Sequence, residues 1–440
     1  MINRREFLGI IGGVTVVSLS ACAGSNRSSA PASTGAGTTG PGTTGAGSPS
    51  TGASTSPGTT GATSPATTAP GGTAAAGAHR RVLVIVQLNG GNDGLNTLIP
   101  AAGQYHDNRP TIAIAEADRI ALTGNTAYAL HPSLAPLAPL WTANKLAFLD
   151  GVGFPDQDHS HFVAMDQWWR ADRLSSAEGW LGTYLKALQT TDPLYATALN
   201  SGAPLLNNAV NPAAVVFRPT AFKFNKALSD DLLKALTTPP SADPLQAAAQ
   251  NALSRSIAAV NSFADVLNNA DDTDQPAAQD REGGGNLSDG LATAAKLITE
   301  NPNTRIVVVS AAGFDTHANQ LTTQADLLKD LANGLTAFMA SIEKAGMADD
   351  VLVVTTSEFG RRVAENGSGG TDHGTGNMSF ILGTKIKPGI QGDVNLGTLL
   401  NGDVKPVIDP RSIYTGCLDW LGADPATILG KRYDDATILA

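Results

Sequence analysis

Apolar and polar positions follow two regimes along this chain. Short, nearly unbroken apolar runs rich in β-branched residues fall at 82–88, 146–149, 306–309, 351–355 and 379–382. Runs of that length without polar alternation predict strands buried on both faces, as in a parallel sheet. Between several of them, apolar residues recur at three- and four-residue steps, over 134–143, 181–189 and 324–345. The last places Leu327, Leu328, Leu331, Leu335, Phe338 and Ile342 on one helical face. Strand, helix, strand repeated in this way predicts an α/β fold, a three-layer sandwich whose mostly parallel central sheet is covered by helices on both faces.

The middle of the chain, about 199–300, departs from that rhythm and reads as a helical insertion or cap. Residues 244–270 predict one alanine-rich helix with a stripe of Leu253, Ile257, Val260, Phe263 and Leu267. Asp243 suits its N-cap and Pro244 its first position. Residues 271–287, acidic and glycine-rich, predict a mobile loop.

The first 78 residues contribute no core. Residues 1–21 read as an export signal of the twin-arginine type, with Asn3-Arg4-Arg5-Glu6-Phe7-Leu8 ahead of an apolar stretch at 10–19. That stretch is too short to span a bilayer, which takes about 20 apolar residues. Leu19-Ser20-Ala21-Cys22 resembles a lipobox, whose cysteine is acylated and becomes the mature N-terminus; the alternative is a signal cut nearby with Cys22 incidental. From 23 to 78 the chain is almost wholly Ala, Gly, Ser, Thr and Pro. Such a segment has nothing to offset its ordering entropy and predicts a disordered stalk with ends roughly 40 Å apart. The globular domain is then 79–440.

Composition narrows the function classes. The formal charge of -10 argues against a nucleic-acid partner. Two cysteines, Cys22 and Cys417, exclude a disulfide framework or a cysteine-rich metal site. Cys417 sits in the helical pattern Ile413, Cys417, Leu418, Leu421 and predicts core packing.

Candidate chemistry gathers where strands end, the edge at which open α/β sheets bind ligands. Asp93 follows the first run, although Asn92-Asp93-Gly94 is also good turn chemistry. Asp315 and His317 follow the 306–309 run, and Glu358, Arg361 and Arg362 follow 351–355. Asp372 and His373 close a glycine-rich loop before the next run, and His159, Ser160 and His161 come after 146–149. Carboxylates and imidazoles from separate strand ends can converge on a divalent cation, and this O/N donor set suits zinc, manganese or iron. Arg361 and Arg362 suit either an anionic substrate or the solvated start of a helix. His131, in His131-Pro132-Ser133, belongs to the turn before a helix.

Taken in order, several motifs resemble one family. They are the export signal, Gly90-Gly91-Asn92-Asp93-Gly94-Leu95-Asn96, His131-Pro132 with Leu137 and Trp141, and Ser160-His161-Phe162. Gly179-Trp180-Leu181-Gly182, Phe314-Asp315-Thr316-His317, Ser357-Glu358-Phe359-Gly360-Arg361 and Asp372-His373-Gly374 follow. Together these look like the exported bacterial DUF1501 proteins, a family of unknown function grouped by fold with the alkaline phosphatase and sulfatase superfamily. The resemblance implies a metal site at the strand ends and hydrolysis of phosphate or sulfate esters. By it, Asp93 matches a first-strand metal aspartate, Asp315 and His317 an Asp/His metal pair, and His373 the last histidine ligand. Glu358-Phe359 stands where an Asp-His pair is expected, one histidine short, and Ser160 is the best placed candidate nucleophile, without a strong nucleophile motif around it.

The functional expectation is therefore an exported, lipid-anchored, metal-dependent hydrolase of an anionic ester. A lipid-anchored protein of this kind would face outward from the cytoplasmic membrane or into the periplasm. The competing expectation is a non-catalytic, surface-tethered, metal-binding protein of the cell envelope. A glycan-binding role has no residue signature beyond Trp168-Trp169, which fit a helix packed on the sheet at least as well.

Overall fold

The computed structural model describes residues 80–440 apart from 189, 212, 225–227 and 269–285. The expected export signal, Cys22, the stalk and most of the expected 271–287 loop lie outside the described residues.

In chain order the described strands are β1 (Val82–Leu88), β2 (Leu98–Pro100), β3 (Ile120–Ala121), β4 (Tyr128–Leu130), β5 (Leu146–Val152) and β6 (Ala196–Leu199). They continue as β7 (Ala214–Val216), β8 (Ile306–Ala311), β9 (Val351–Thr356), β10 (Asn377–Leu382) and β11 (Gly389–Gln391). Eight form one sheet in the order β11-β5-β10-β9-β1-β8-β6-β7, and β2, β4 and β3 form a small second sheet. The first strand of the chain lies near the middle of the large sheet. Val84 pairs in parallel with Val307 of β8 on one side and Val353 of β9 on the other. Only β10 runs against its neighbours in that sheet.

The β-branched runs fill both faces at once. Val82, Val84 and Val86 join one core cluster with the Leu287–Glu300 and Gln320–Lys344 helices. Leu83 and Ile85 join the other, under the Trp180–Ala187 and Pro410–Leu421 helices. Val307 and Val309 against Ile306 and Val308 divide the same way. This is the three-layer sandwich with a mostly parallel sheet that the pattern predicts. Trp180 stacks on Tyr414 at 4.5 Å between ring centroids, and Cys417 is fully buried, as its pattern requires.

The segment 199–300 is less purely helical than expected. It holds the Asp230–Thr237, Pro244–Asn268 and Leu287–Glu300 helices, but also β7, the edge strand of the main sheet. Three residues give too little periodicity to announce a strand. Asp243 caps the long helix as its type predicts, accepting from the Gln246 amide at 2.9 Å. No helix among the described residues is long and apolar enough to cross a membrane.

Candidate metal centre

Four strands, β1, β5, β8 and β9, end at one edge of the sheet, and β10 begins there. Its antiparallel run sets Asn377 opposite Val152 at the end of β5. A loop that precedes a strand thereby joins loops that follow strands.

Glycine lets these loops close on one another. Gly90, after β1, has φ +118°, and a Cβ there would sit 2.3 Å from the Asp315 amide nitrogen. A Cβ on Gly370 would sit 2.4 Å from the backbone of His317. Between the loops lies the Arg361 guanidinium, 1% exposed. It donates to the carbonyls of Gly91 (2.7 Å), Thr371 (2.9 Å) and Phe314 (3.0 Å), to the Gly90 carbonyl, and to Oδ1 of Asp315 (2.7 Å). Both sequence expectations for Arg361 are therefore corrected. It neither starts a helix nor offers its fork to solvent, because loop carbonyls lacking strand partners take up its donors. Arg362 pairs with Asp403 at 3.3 Å.

Three imidazoles meet at Asp315. His161 opens the His161–Arg170 helix after β5, His317 follows β8, and His373 leads into β10. His161 Nε2 lies 3.4 Å from Asp315 Oδ2, while His317 Nε2 and His373 Nε2 lie 3.1 and 3.2 Å from Oδ1. The last two nitrogens are 2.9 Å apart. Each ring is held from behind through Nδ1. Glu358 Oε1 takes His161 at 2.8 Å, Asp372 Oδ1 takes His317 at 3.2 Å, and the His159 carbonyl takes His373 at 2.7 Å. These partners accept, which places a proton on each Nδ1 and, in the neutral rings, leaves a lone pair on each Nε2. Lone pairs facing one another beside a carboxylate repel unless a cation lies among them. The 2.9 Å between His317 Nε2 and His373 Nε2, and the 3.1–3.4 Å from the three Nε2 atoms to the Asp315 oxygens, bring these atoms to one small region. His161, Asp315 and His373 each offer an atom within 4.8 Å of the others.

Buried Phe359 floors this group, its ring centroid 4.9 Å from that of His161 and 4.5 Å from that of His373. Partial burial pushes the Asp315 carboxyl up, but the Arg361 hydrogen bond and charge, with the His373 ring beside it, outweigh that and hold the group at about 2. The Glu358 hydrogen bond raises His161 against its desolvation, while desolvation lowers His373.

Other expected site residues fall outside the group. Asp93 is 1% exposed, and its carboxylate is taken by the fully buried Arg109, by Gln320 and by the Leu95 amide, so the structure does not bring it to the imidazoles. Glu358 and Asp372 stand behind histidines rather than among the converging atoms. Ser160 is exposed beside His161 and makes no side-chain capping bond. His159 pairs with buried Asp403 at 3.4 Å. His131 is the N-cap of the 132–137 turn, accepting from Ser133 at 3.1 Å. Trp168 is buried in the core and Trp169 packs against it. Sequence reasoning missed Arg109 and the floor role of Phe359. Neither lies at a recognisable spacing from the histidines.

A family model described as "Protein of unknown function (DUF1501)" matches residues 115–435. No curated protein matches the chain at the sequence level. Among solved structures, a Vibrio parahaemolyticus protein of the alkaline phosphatase superfamily is 10% identical, over 80% of this chain and 70% of that one, with a TM-score of 0.40. The lipoteichoic acid synthase of Listeria monocytogenes is 12% identical over 82% and 76%, with a TM-score of 0.36. The phosphonate monoester hydrolase of Silicibacter pomeroyi is 11% identical over 81% and 78%, with a TM-score of 0.32. Likenesses this faint carry nothing about activity.

Proposed function

The chain belongs to the DUF1501 family, and from that footing we propose that it is an exported, lipid-anchored hydrolase that uses a divalent metal ion to cleave a phosphate or sulfate ester at the cell envelope. The observation that carries the reading is the set of three imidazoles fixed through Nδ1 with their Nε2 atoms turned on Asp315. Carboxylate or carbonyl partners behind ligating histidines are the usual support of a metal centre.

His161, Asp315 and His373 would hold the ion, with His317 Nε2 beside them, 2.9 Å from His373 Nε2. Imidazole nitrogens in the set favour zinc or iron over manganese. When bound, such an ion lowers the pKa of a hydroxyl or water and neutralises charge on an ester oxygen. The chain's own residues do the rest. Arg361 keeps Asp315 ionised, and Glu358 and Asp372 keep their proton on the Nδ1 side of His161 and His317. Phe359 excludes water from beneath the rings. Ser160, one residue before His161 and free of a capping bond, is the candidate nucleophile.

Export and anchoring rest on the twin-arginine motif at Arg4-Arg5 and on Cys22 in its lipobox-like setting. They would place the domain outside the cytoplasmic membrane or in the periplasm, on a stalk.

The test is a panel of chromogenic phosphate monoesters, phosphodiesters and sulfate esters, offered to the full chain loaded with zinc, iron or manganese, beside His373→Ala. Turnover lost in the variant supports the hydrolase. A metal-loaded protein inert to the whole panel would leave the second reading, a non-catalytic metal-binding envelope protein. That reading is favoured by the engagement of Asp93 and Arg361 in internal contacts.

A further inference from the structure

Next to the metal centre lies a second charged feature that the proposed chemistry does not use. Arg109 is 0% exposed and Asp93 1% exposed, and they form a two-bonded pair at the end of β1, with Nη1 2.5 Å from Oδ2 and Nη2 3.0 Å from Oδ1. We infer that this guanidinium is a resident side-chain cation, so that the protein takes one metal ion per chain and Asp93 is not a ligand. The inference rests on the metal centre proposed above.

Every polar position of the pair is filled. Asp93 accepts from Arg109 at both oxygens, from Gln320 Nε2 at Oδ2 and from the Leu95 amide at Oδ1. The five N–H groups of Arg109 are used as completely. Nε donates to the Val363 carbonyl at 2.9 Å, Nη1 to Asn96 Oδ1 at 2.7 Å as well as Asp93, and Nη2 to the Arg362 carbonyl at 2.9 Å as well as Asp93. A guanidinium stays charged at any accessible pH, so the carboxylate is neutralised permanently. For Asp93 to bind a metal, a fully buried cation would have to give up the carboxylate and be displaced from the Val363 and Arg362 carbonyls and Asn96 Oδ1. Removing one member of a buried ion pair strands the other, which is far costlier than leaving the pair intact.

The pair lies outside the converging atoms but is hydrogen-bonded to the loops around them. Gln320, which donates to Asp93, accepts through Oε1 from Thr316 Oγ1 at 3.1 Å and Thr371 Oγ1 at 2.7 Å. Thr316 stands between Asp315 and His317, and Thr371 precedes Asp372. One side chain thus links the resident cation to two of the three segments that carry the histidines, those of His317 and His373. The site has the parts for two positive centres, one exchangeable and one covalent.

The experiment counts metal. The full chain is stripped with chelator, reloaded with excess zinc, desalted and assayed by plasma mass spectrometry, with affinity read by chelator competition. Beside it stand His373→Ala and the double variant Asp93→Asn with Arg109→Met, which removes both buried charges together. The expected result is one zinc per chain in the wild type and in the double variant, with affinities within about threefold, and a loss of at least tenfold in His373→Ala. Two zinc ions per wild-type chain would overturn the inference, as would a double variant that keeps its circular dichroism spectrum but holds no zinc. No zinc in the wild type would instead overturn the metal centre and the inference with it.

Discussion

His161 Nδ1 lies 2.8 Å from Oε1 of Glu358, and the same oxygen accepts the Gly90 amide at 2.8 Å. One buried carboxylate therefore fixes an imidazole and the loop after β1 together. Removing such a support behind a ligand typically costs 10- to 100-fold in metal affinity. Glu358→Gln is expected to weaken zinc binding by about that much while the fold persists, measured by chelator competition with a circular dichroism control.

Arg361 poses a question of stability rather than affinity. Its guanidinium, itself buried, satisfies four loop carbonyls and Asp315. Lysine offers a compact point charge instead of a planar fork. Arg361→Lys should lower unfolding free energy by about 1–3 kcal/mol in urea titrations, the scale of leaving buried acceptors unmet. Wild-type stability in that variant would show that the loops hold without the fork.

Acid sensitivity should report His131. Burial pushes its pKa down to about 4, against a smaller upward pull from Asp93. Its folded value lies below the unfolded value of about 6.5, so the unfolded chain binds the proton first. The stability contribution is full above about pH 6.5, declines as pH falls and levels off below about pH 4. At about 1.4 kcal/mol per unit the loss is on the order of 3 kcal/mol. His131→Asn, which keeps a capping acceptor, should flatten that part of the stability–pH profile. An identical profile in the variant would remove His131 as the cause.

The charge of the substrate follows from the charges already paired. Arg361 and Arg109 are each matched by a carboxylate, so on the proposed reading the metal ion would be the main attraction for an anion. Singly charged sulfate esters and phosphodiesters should be cleaved at least tenfold faster than doubly charged phosphate monoesters, compared as kcat/KM on matched aryl leaving groups. The reverse order would require a cation that is not accounted for.

The proposed anchor has its own test. Cys22→Ala should move the protein from the membrane pellet to the soluble fraction, and Arg4→Lys with Arg5→Lys should retain it in the cytoplasm. Membrane association unchanged in the cysteine variant would exclude the lipid.

The sandwich was legible because its information is local. A β-branched run such as Val82-Leu83-Val84-Ile85-Val86 has few alternatives to a doubly buried strand, and the Leu328, Leu331, Leu335, Phe338 spacing has few alternatives to a helix face. Histidines and acids bunched after such runs likewise marked the edge where a site would assemble. The sequence also determined that no cysteine-rich site could form. What it could not determine was which polar side chains meet. Asp93 and His373 look equivalent as motifs, yet His373 turns toward Asp315 while Asp93 turns to Arg109. Arg109 sits 16 residues downstream, in no pattern that announces it. The loop carrying His373 reaches the site because β10 runs antiparallel, a pairing set by contacts with β5 and β9 far along the chain. Periodicity records how each segment is buried. Convergence depends on strand direction, loop closure at glycines and competition among buried charges for partners, and these exist only once the tertiary structure has formed.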